Sequence, residues 1–579
     1  MTQAGSFTFV LHSHLPWVLN HGRWPHGVDW LNEATVESYL PLWQVLRARA
    51  AGGRSLGVTL GMTPVLCEQL AHPAFHRELV DYLNQKIGAA VEDRKWFTRS
   101  GENELAALAE RWERAYRSSL EDLMGPHGPN LVARFRRLEE QGAIEVITSG
   151  ASHAYLPLVS SDLAVAGQVR TARVAHRRHF GRDPRGIWLP ECAYRPAGTW
   201  PSPQIEAAGG GAGPPRQRRG IEEILADQGI RYFFVDSHLL AGGRPLGVYA
   251  DRFEALRHLA RDAGEPAAAA GGHPPYRPYR VGPRAAASCF GRDPATALQV
   301  WSGEHGYPGD PVYLDFHKKR FPGGHRYWSV THPKADLAHK QVYRPGAAEA
   351  RCPEHAAHFI ALLERTLQEA RRLQSASPVV CAMYDTELFG HWWFEGPRFL
   401  GEVLDLCDRG GGVAPMLPSR YLELHPPDEV VSLPEGSWGD GGGHQVWLNP
   451  ETRWTWAPVH AAEARFAHLT HEAAARPRDP LLDRLLSQAG REMMLLESSD
   501  WQFLITTFSA RDYAELRVTE HAEAFERLAS LAERRGSGGA LGEADEHFLS
   551  EIERRDDLFP DFDWRAYAAP LPDAVGVAG

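Results

Sequence analysis

Seven short apolar runs recur along the chain: Phe7–Leu11, Leu56–Leu60, Ile144–Ile147, Ile187–Leu189, Tyr232–Val235, Leu298–Trp301 and Val379–Tyr384. Each has the length of a strand and ends in polar residues, and helical stretches separate them. That alternation predicts parallel β/α units, and therefore an α/β fold. A closed barrel would bring all the run ends to one face, where β/α-barrel enzymes keep their chemistry. The spacing alone leaves a barrel and an open sheet both standing.

Between Cys67 and Gln141 the pattern is helical, with Leu105, Leu108, Trp112 and Ala115 at i, i+3, i+7 and i+10. This predicts a helical insertion over residues 67–141, dividing an α/β domain into parts at 1–66 and 142–424. Two long loops interrupt the second part, at 202–219 and 241–280. The first is Gly/Pro-rich around Gly209 and lacks the Gly-Lys-Ser/Thr ending of a phosphate loop, so it reads as a connector. The second carries Tyr249, Tyr276 and Tyr279 and reads as a lid. After about Leu424 the texture changes, predicting a carboxy-terminal helical domain over 425–570. Helices are expected there at Val459–Arg476, Leu481–Ser498 and Ala510–Arg535.

Bulk properties exclude several classes. A net charge of −11 argues against a nucleic-acid partner, which favours a basic face. No run of about 18 apolar residues is present, so no membrane span is expected, and Met1 to Phe9 lacks a signal-peptide pattern. The six cysteines form no Cys-x-x-Cys pair and read as buried free thiols of a cytoplasmic protein.

Two motifs place an acid in an aromatic setting at a strand end. They are Trp188-Leu189-Pro190-Glu191-Cys192-Ala193-Tyr194 and Tyr384-Asp385-Thr386-Glu387-Leu388-Phe389-Gly390-His391-Trp392-Trp393. Cleavage of a glycosidic bond needs one carboxyl to attack or stabilise the sugar cation and another to protonate the leaving oxygen. Aromatic rings supply the floor on which sugar faces stack. Glu387 competes with Asp385 for the second acid, and the residues alone do not assign the two roles. His12-Ser13-His14 ends the first run with two imidazoles on one strand face. They read as ligands of sugar hydroxyls or, with His153, Asp236 or His238, of a metal ion. Eighteen tryptophans are many for this length. Trp438, Trp447, Trp454 and Trp456 cluster in a Gly-rich stretch that reads as a glucan-contacting wall, with structural packing as the alternative.

The ordered set His12–His14, Gly150–Pro157, Trp188–Tyr194 and Tyr384–Trp393 resembles the motifs of glycoside hydrolase family 57, most of all its 1,4-α-glucan (glycogen) branching members. The stretches Trp301–Arg320 and Trp438–Trp456 extend the likeness over nearly the whole chain. The resemblance implies an incomplete (β/α)7 barrel with a helical insertion and a carboxy-terminal helical domain. It implies a retaining double displacement with Glu191 as nucleophile and Asp385 as general acid/base. It places His12, His14 and His153 at the donor sugar, and gives glucan contacts to Trp24, Trp301, Trp438, Trp447, Asp500 and Trp501. Tyr249 would be the lid tyrosine. No metal or other cofactor is expected. The expected partner is an α-glucan such as amylose or glycogen, with no nucleic acid and no membrane; the oligomeric state is left open, a monomer included. The nearest rival is an α-amylase or 4-α-glucanotransferase of the same family. A metal-dependent hydrolase, sensitive to chelator, and a catalytically silent glucan-binding protein are the others.

Overall fold

The opening apolar run becomes β1 (Gly5–Ser13), a strand buried at every position, as a parallel strand covered on both faces must be. The computed structural model describes residues 4–50, 55–200, 216–242, 272–284, 287–303, 305–332, 334–374, 377–410 and 412–568. Within them the chain continues through β2 (Val58–Met62), β3 (Ile144–Ile147), β4 (Gly186–Ile187), β5 (Gly198–Trp200), β6 (Arg216–Arg218) and β7 (Tyr232–Val235). Then come β8 (Tyr279–Val281), β9 (Ala287–Gly291), β10 (Lys319–Arg320), β11 (His325–Arg326), β12 (Val379–Asp385), β13 (Val413–Pro415) and β14 (Val430–Val431).

A parallel sheet runs β12-β1-β2-β3, with β13 beside the start of β1. A second runs β14-β8-β9-β7-β4, parallel except where β8 meets β9. Single parallel bridges link the two sheets at both edges, Thr148 to Ile187 and Arg292 to Cys381. At the first, the Trp188 amide donates to the Thr148 carbonyl at 2.8 Å; at the second, the Asp293 amide donates to the Cys381 carbonyl at 3.0 Å. The protein is thus α/β, and the carboxyl ends of β1, β4 and β12 open on one side.

The sixth expected run is corrected. Leu298–Trp301 lies in a helix, Pro294–Trp301, and the strand is the preceding β9. Asp293 caps that helix by accepting from the Thr296 amide at 2.6 Å, and Pro294 at the first helical position fits its fixed φ. β9, sequence ASCFG, is too rich in small residues to stand out as a β run.

The insertion folds as helices Pro64–Ala71, Pro73–Arg99, Asn103–Met124 and Leu131–Glu140. Its expected apolar face is corrected at one position. Leu105, Leu108, Ala109 and Tyr116 are buried, whereas Ala115 is exposed, because at 3.6 residues per turn the stripe returns at i+11 rather than i+10. The carboxy-terminal region is helical over Arg453–Ala474, Pro480–Leu496, Asp500–Thr506, Arg511–Gly536 and Glu543–Arg555. Trp454 and Trp456 therefore stand on a helix, against the expectation of an irregular wall. Buried polar contacts tie this region to the loop after β1: Arg517 Nη1 donates to the Trp17 carbonyl at 3.0 Å, and His21 Nε2 meets Asp556 Oδ1 at 2.5 Å. All six cysteines are buried and free. No helix of the described residues is long and apolar enough to cross a membrane.

Candidate active site

The register of β1 against β12 sets His12 directly opposite Asp385. This puts the first histidine motif and the second acid motif side by side at the strand ends. The chain leaving β4 supplies the other acid through an unusual backbone. Glu191 has φ +60° and ψ +24°, and Cys192 follows at φ +48°. Two consecutive non-glycine residues in the left-handed region are strained by roughly 1–3 kcal/mol each, and persist only where their surroundings hold them. Here the Trp438 amide donates to the Glu191 carbonyl at 3.1 Å, and the Cys192 amide donates to the Leu189 carbonyl at 2.8 Å. The same tryptophan holds the carboxylate, since Trp438 Nε1 donates to Glu191 Oε2 at 2.8 Å.

Glu191 and Asp385 both face one open cavity of about 870 Å³, its solvent mouth included. His12, His14, His153, Trp301, Trp438 and Asp500 line it, together with Leu15, Glu387, Leu388, Trp392 and Phe503. The imidazoles form a stack: His14 and His153 ring centres lie 3.8 Å apart, and His12 lies 4.7 Å from Trp188. Each is fixed by a partner. His12 Nε2 meets His153 Nε2 at 3.0 Å, His153 Nδ1 meets Ser499 Oγ at 2.9 Å, and His14 Nε2 meets Asp500 Oδ2 at 2.8 Å. Burial, with the neighbouring imidazoles, holds His12 well below the ordinary histidine range, and burial and His14 do the same for His153. Both are therefore neutral, suited to hydrogen bonding rather than to carrying charge. The nitrogens of His14 and His153 and an Asp500 oxygen are near enough to hold a metal ion, but in the structure they hydrogen-bond to one another and to Ser499, Thr63 and His12. Asp236 pairs with His238 and with the buried Arg292, and neither Asp236 nor His238 lines the cavity.

The carboxyls differ in environment. Burial, and then the charges of Asp385 and Asp500, push Glu191 up to about 8, against the opposing Trp438 hydrogen bond. Burial and the Asp385 charge push Glu387 up to about 8. The Tyr39 hydroxyl and the His14 amide donate to Glu387 Oε1. Asp500 goes the other way: burial raises it, but His14, His153 and Ser498 together bring it below the usual carboxylate range.

Two expected contacts are corrected, those of Trp447 and Trp501. The Trp447 ring is 1% exposed and stacks at 4.3 Å on Tyr155, behind the cavity wall. Trp501 is fully buried, its Nε1 donating to the Leu495 carbonyl at 2.8 Å. Neither ring offers a face to a ligand; adjacency to Asp500 misled for Trp501, because side chains one position apart on a helix point about 100° apart. Trp24 is 75% exposed and is not among the cavity walls. Tyr249, the Gly209 connector and the Ala267 tract lie outside the described residues. Phe503 and Leu15 were missed; Phe503 sits three residues after Asp500, the helical spacing that sets both on one face.

Gly390 explains the glycine of the second acid motif. Its φ is +112°, and a Cβ there would lie 1.8 Å from the Glu37 carbonyl oxygen. Gly390→Ala should therefore destabilise the fold by about 3 kcal/mol or more, visible as a lowered Tm. An unchanged Tm would show that this close approach is not required.

The profile of glycosyl hydrolase family 57 matches residues 8–434, and that of the carboxy-terminal region of 1,4-alpha-glucan branching enzymes matches 458–567. The chain is 40% identical to the 1,4-alpha-glucan branching enzyme of Thermococcus kodakarensis over 556 residues, covering 96% of this chain and 77% of that protein. The crystal structure of a family 57 branching enzyme from Pyrococcus horikoshii is 38% identical, with a TM-score of 0.85 over 99% of this chain and 98% of that one. The alpha-amylase AmyC of Thermotoga maritima is 26% identical, with a TM-score of 0.79 over 98% of this chain and 100% of that one. With one profile spanning 427 residues of the chain and both acids inside it, the protein belongs to glycosyl hydrolase family 57.

Proposed function

We propose that the chain is a 1,4-α-glucan branching enzyme acting by a retaining double displacement. The observation that carries the mechanism is the pair of carboxyls, Glu191 and Asp385, facing one aromatic-walled cavity, with Glu191 oriented by Trp438. Asp385 protonates the oxygen of an α-1,4 bond while Glu191 attacks the anomeric carbon. The released chain departs and a β-linked glucosyl-enzyme remains. Asp385, now a base, takes the proton of a 6-hydroxyl on another chain, which attacks the anomeric carbon and frees Glu191. Two inversions leave an α-1,6 branch. Trp301 and Trp438 contribute to the aromatic wall of the cavity, while His12, His14, His153 and Asp500 offer hydrogen-bonding groups.

A nucleophile raised to about 8 looks unsuited to attack at neutral pH, but its value belongs to a coupled pair. The Asp385 charge is one of the causes of the rise. Once Asp385 carries the proton that the acid step needs, that repulsion vanishes and the Trp438 hydrogen bond favours ionised Glu191, while burial, the largest cause of the rise, still opposes it. The reactive form holds one proton, on Asp385. Above the upper titration of the pair both acids are ionised and the donor is lost. kcat/KM should therefore fall on the alkaline side with an apparent pKa near 8. A flat profile between pH 7 and 9.5 would contradict this coupling.

The two sheets, linked through the bridges at Thr148 and Arg292, support a (β/α)7 barrel with order β1-β2-β3-β4-β7-β9-β12. Its divisions would be 1–66, 67–141, 142–424 and 425–570.

The activity is tested on linear amylose by proton NMR for α-1,6 signals, beside a reducing-end assay and a parallel run with excess chelator. Branch signals well ahead of reducing ends, unaffected by chelator, are expected. Reducing ends without branches make it an amylase. A broadened chain-length distribution alone makes it a 4-α-glucanotransferase.

A further inference from the structure

We propose that Trp454, Phe508 and Arg511 form a platform outside the catalytic cavity that holds the acceptor glucan chain; this rests on the branching reading above. Phe508 is an outlier twice over. Its φ is +55°, a region that bulky residues avoid, and its ring is 58% exposed, so burial does not repay the strain. Strain of this kind collects at ligand sites, where the surroundings fix it. Arg511 lies over the ring at 5.3 Å. Its guanidinium is fixed by Glu451 at 2.8 Å and Glu515 at 2.8 Å. Three residues after Glu451, Trp454 presents an indole 42% exposed.

The patch is continuous with the cavity wall. The helix Asp500–Thr506 places Asp500 and Phe503 in the cavity and ends two residues before Phe508. Phe508 follows the cavity-lining Phe503 by only five residues, three of them in this helix, so the platform stands close outside the cavity. Hydrogen bonds clamp this segment to the one that carries Trp454. Gln502 Nε2 donates to Thr455 Oγ1 at 2.9 Å, Asn449 Nδ2 donates to Thr506 Oγ1 at 2.9 Å, and Thr506 Oγ1 donates to the Val446 carbonyl at 2.7 Å.

Exposed flat rings interleaved with a fixed guanidinium and a carboxylate suit a sugar chain. The C–H faces of pyranoses stack on the rings, and their hydroxyls reach the charged groups. A protein partner would call for a larger continuous apolar area. In the second half of the reaction the donor chain occupies the cavity, bound through Glu191. The attacking chain must then be held from outside, and this surface adjoins the mouth.

The test is the double variant Phe508→Gly/Trp454→Ala. Glycine accepts the left-handed backbone, so the ring is deleted while the strain is relieved. With amylose below saturation, the rate of α-1,6 formation should fall about tenfold, the change expected for 1.4 kcal/mol of lost binding. Reducing-end release should hold or rise as water takes the place of the missing chain, and Tm should not fall. Added short glucan acceptor at high concentration should restore branching. Two results would overturn the proposal: branching and reducing-end rates both unchanged, or both lowered together. A wild-type protein that makes no branches overturns the branching reading itself, and the acceptor role with it; a branching wild type with an unaffected variant sinks the platform alone.

Discussion

Replacing Glu191 by Gln is expected to lower glucan turnover roughly 10⁴-fold or more while making the protein more stable. The first effect follows if Glu191 is the group that forms the covalent intermediate, as proposed. The second follows from the cost of keeping that group where it is. Glu191 is partly buried, and desolvation raises it to about 8 from an ordinary 4.5, so the folded state binds its proton more tightly than the unfolded chain. Between pH 4.5 and 8 the fold is therefore progressively penalised as pH rises, because ionising Glu191 is harder inside than in water. Glutamine carries no such penalty, and its amide oxygen still accepts from Trp438 Nε1. The gain at pH 7–8 is at most about 3–4 kcal/mol, and it vanishes as pH falls below 4.5, where the carboxyl becomes neutral in both states. Thermal melts of both proteins at these pH values check the sign. A variant that melts lower at every pH would assign Glu191 a structural role.

Asp385→Asn should lower turnover of amylose by about 10³–10⁴-fold, but in a way that depends on the leaving group. An α-glucosyl fluoride leaves without protonation, so its first step should survive in this variant. Glu191→Gln should fail with fluoride and amylose alike, since no carboxylate remains to attack. This contrast separates acid/base from nucleophile, which total activity does not. It also tests Glu387, which shares the motif and the cavity. If the leaving-group pattern appears with Glu387→Gln and not with Asp385→Asn, the acid/base role moves to Glu387. Glu387 accepts from the Tyr39 hydroxyl and the His14 amide through Oε1.

The acids, the histidines and the α/β class were legible in the sequence because each rests on local pattern. A short continuous apolar run that ends in an acid announces itself in a few consecutive residues, and His12 and His14 share a face by the side-chain alternation of a strand. The carboxy-terminal helices were legible for the same reason, and so was the helical insertion. Trp454 and Trp456 broke the reading because the helix Arg453–Ala474 begins within what looked like a Gly-rich wall. The sixth strand was lost because β9 carries no apolar signature, while the capped helix after it does.

What only the tertiary structure decided is which side chains meet and what that meeting does to their protons. Residues 12, 153, 191, 385 and 500 come from five separate parts of the chain, and no local pattern encodes that they line one cavity. The strained backbone at Glu191, the indole hydrogen bond that orients its carboxylate, and the burial of Trp447 and Trp501 all arise from packing between distant segments. The titration of Glu191 depends on the field of groups brought near by the fold and on the water they exclude. The sequence by itself determined the kind of chemistry, because that requires only the right groups at strand ends. The fold decided the protonation and the reach of each group, because those depend on distance and desolvation.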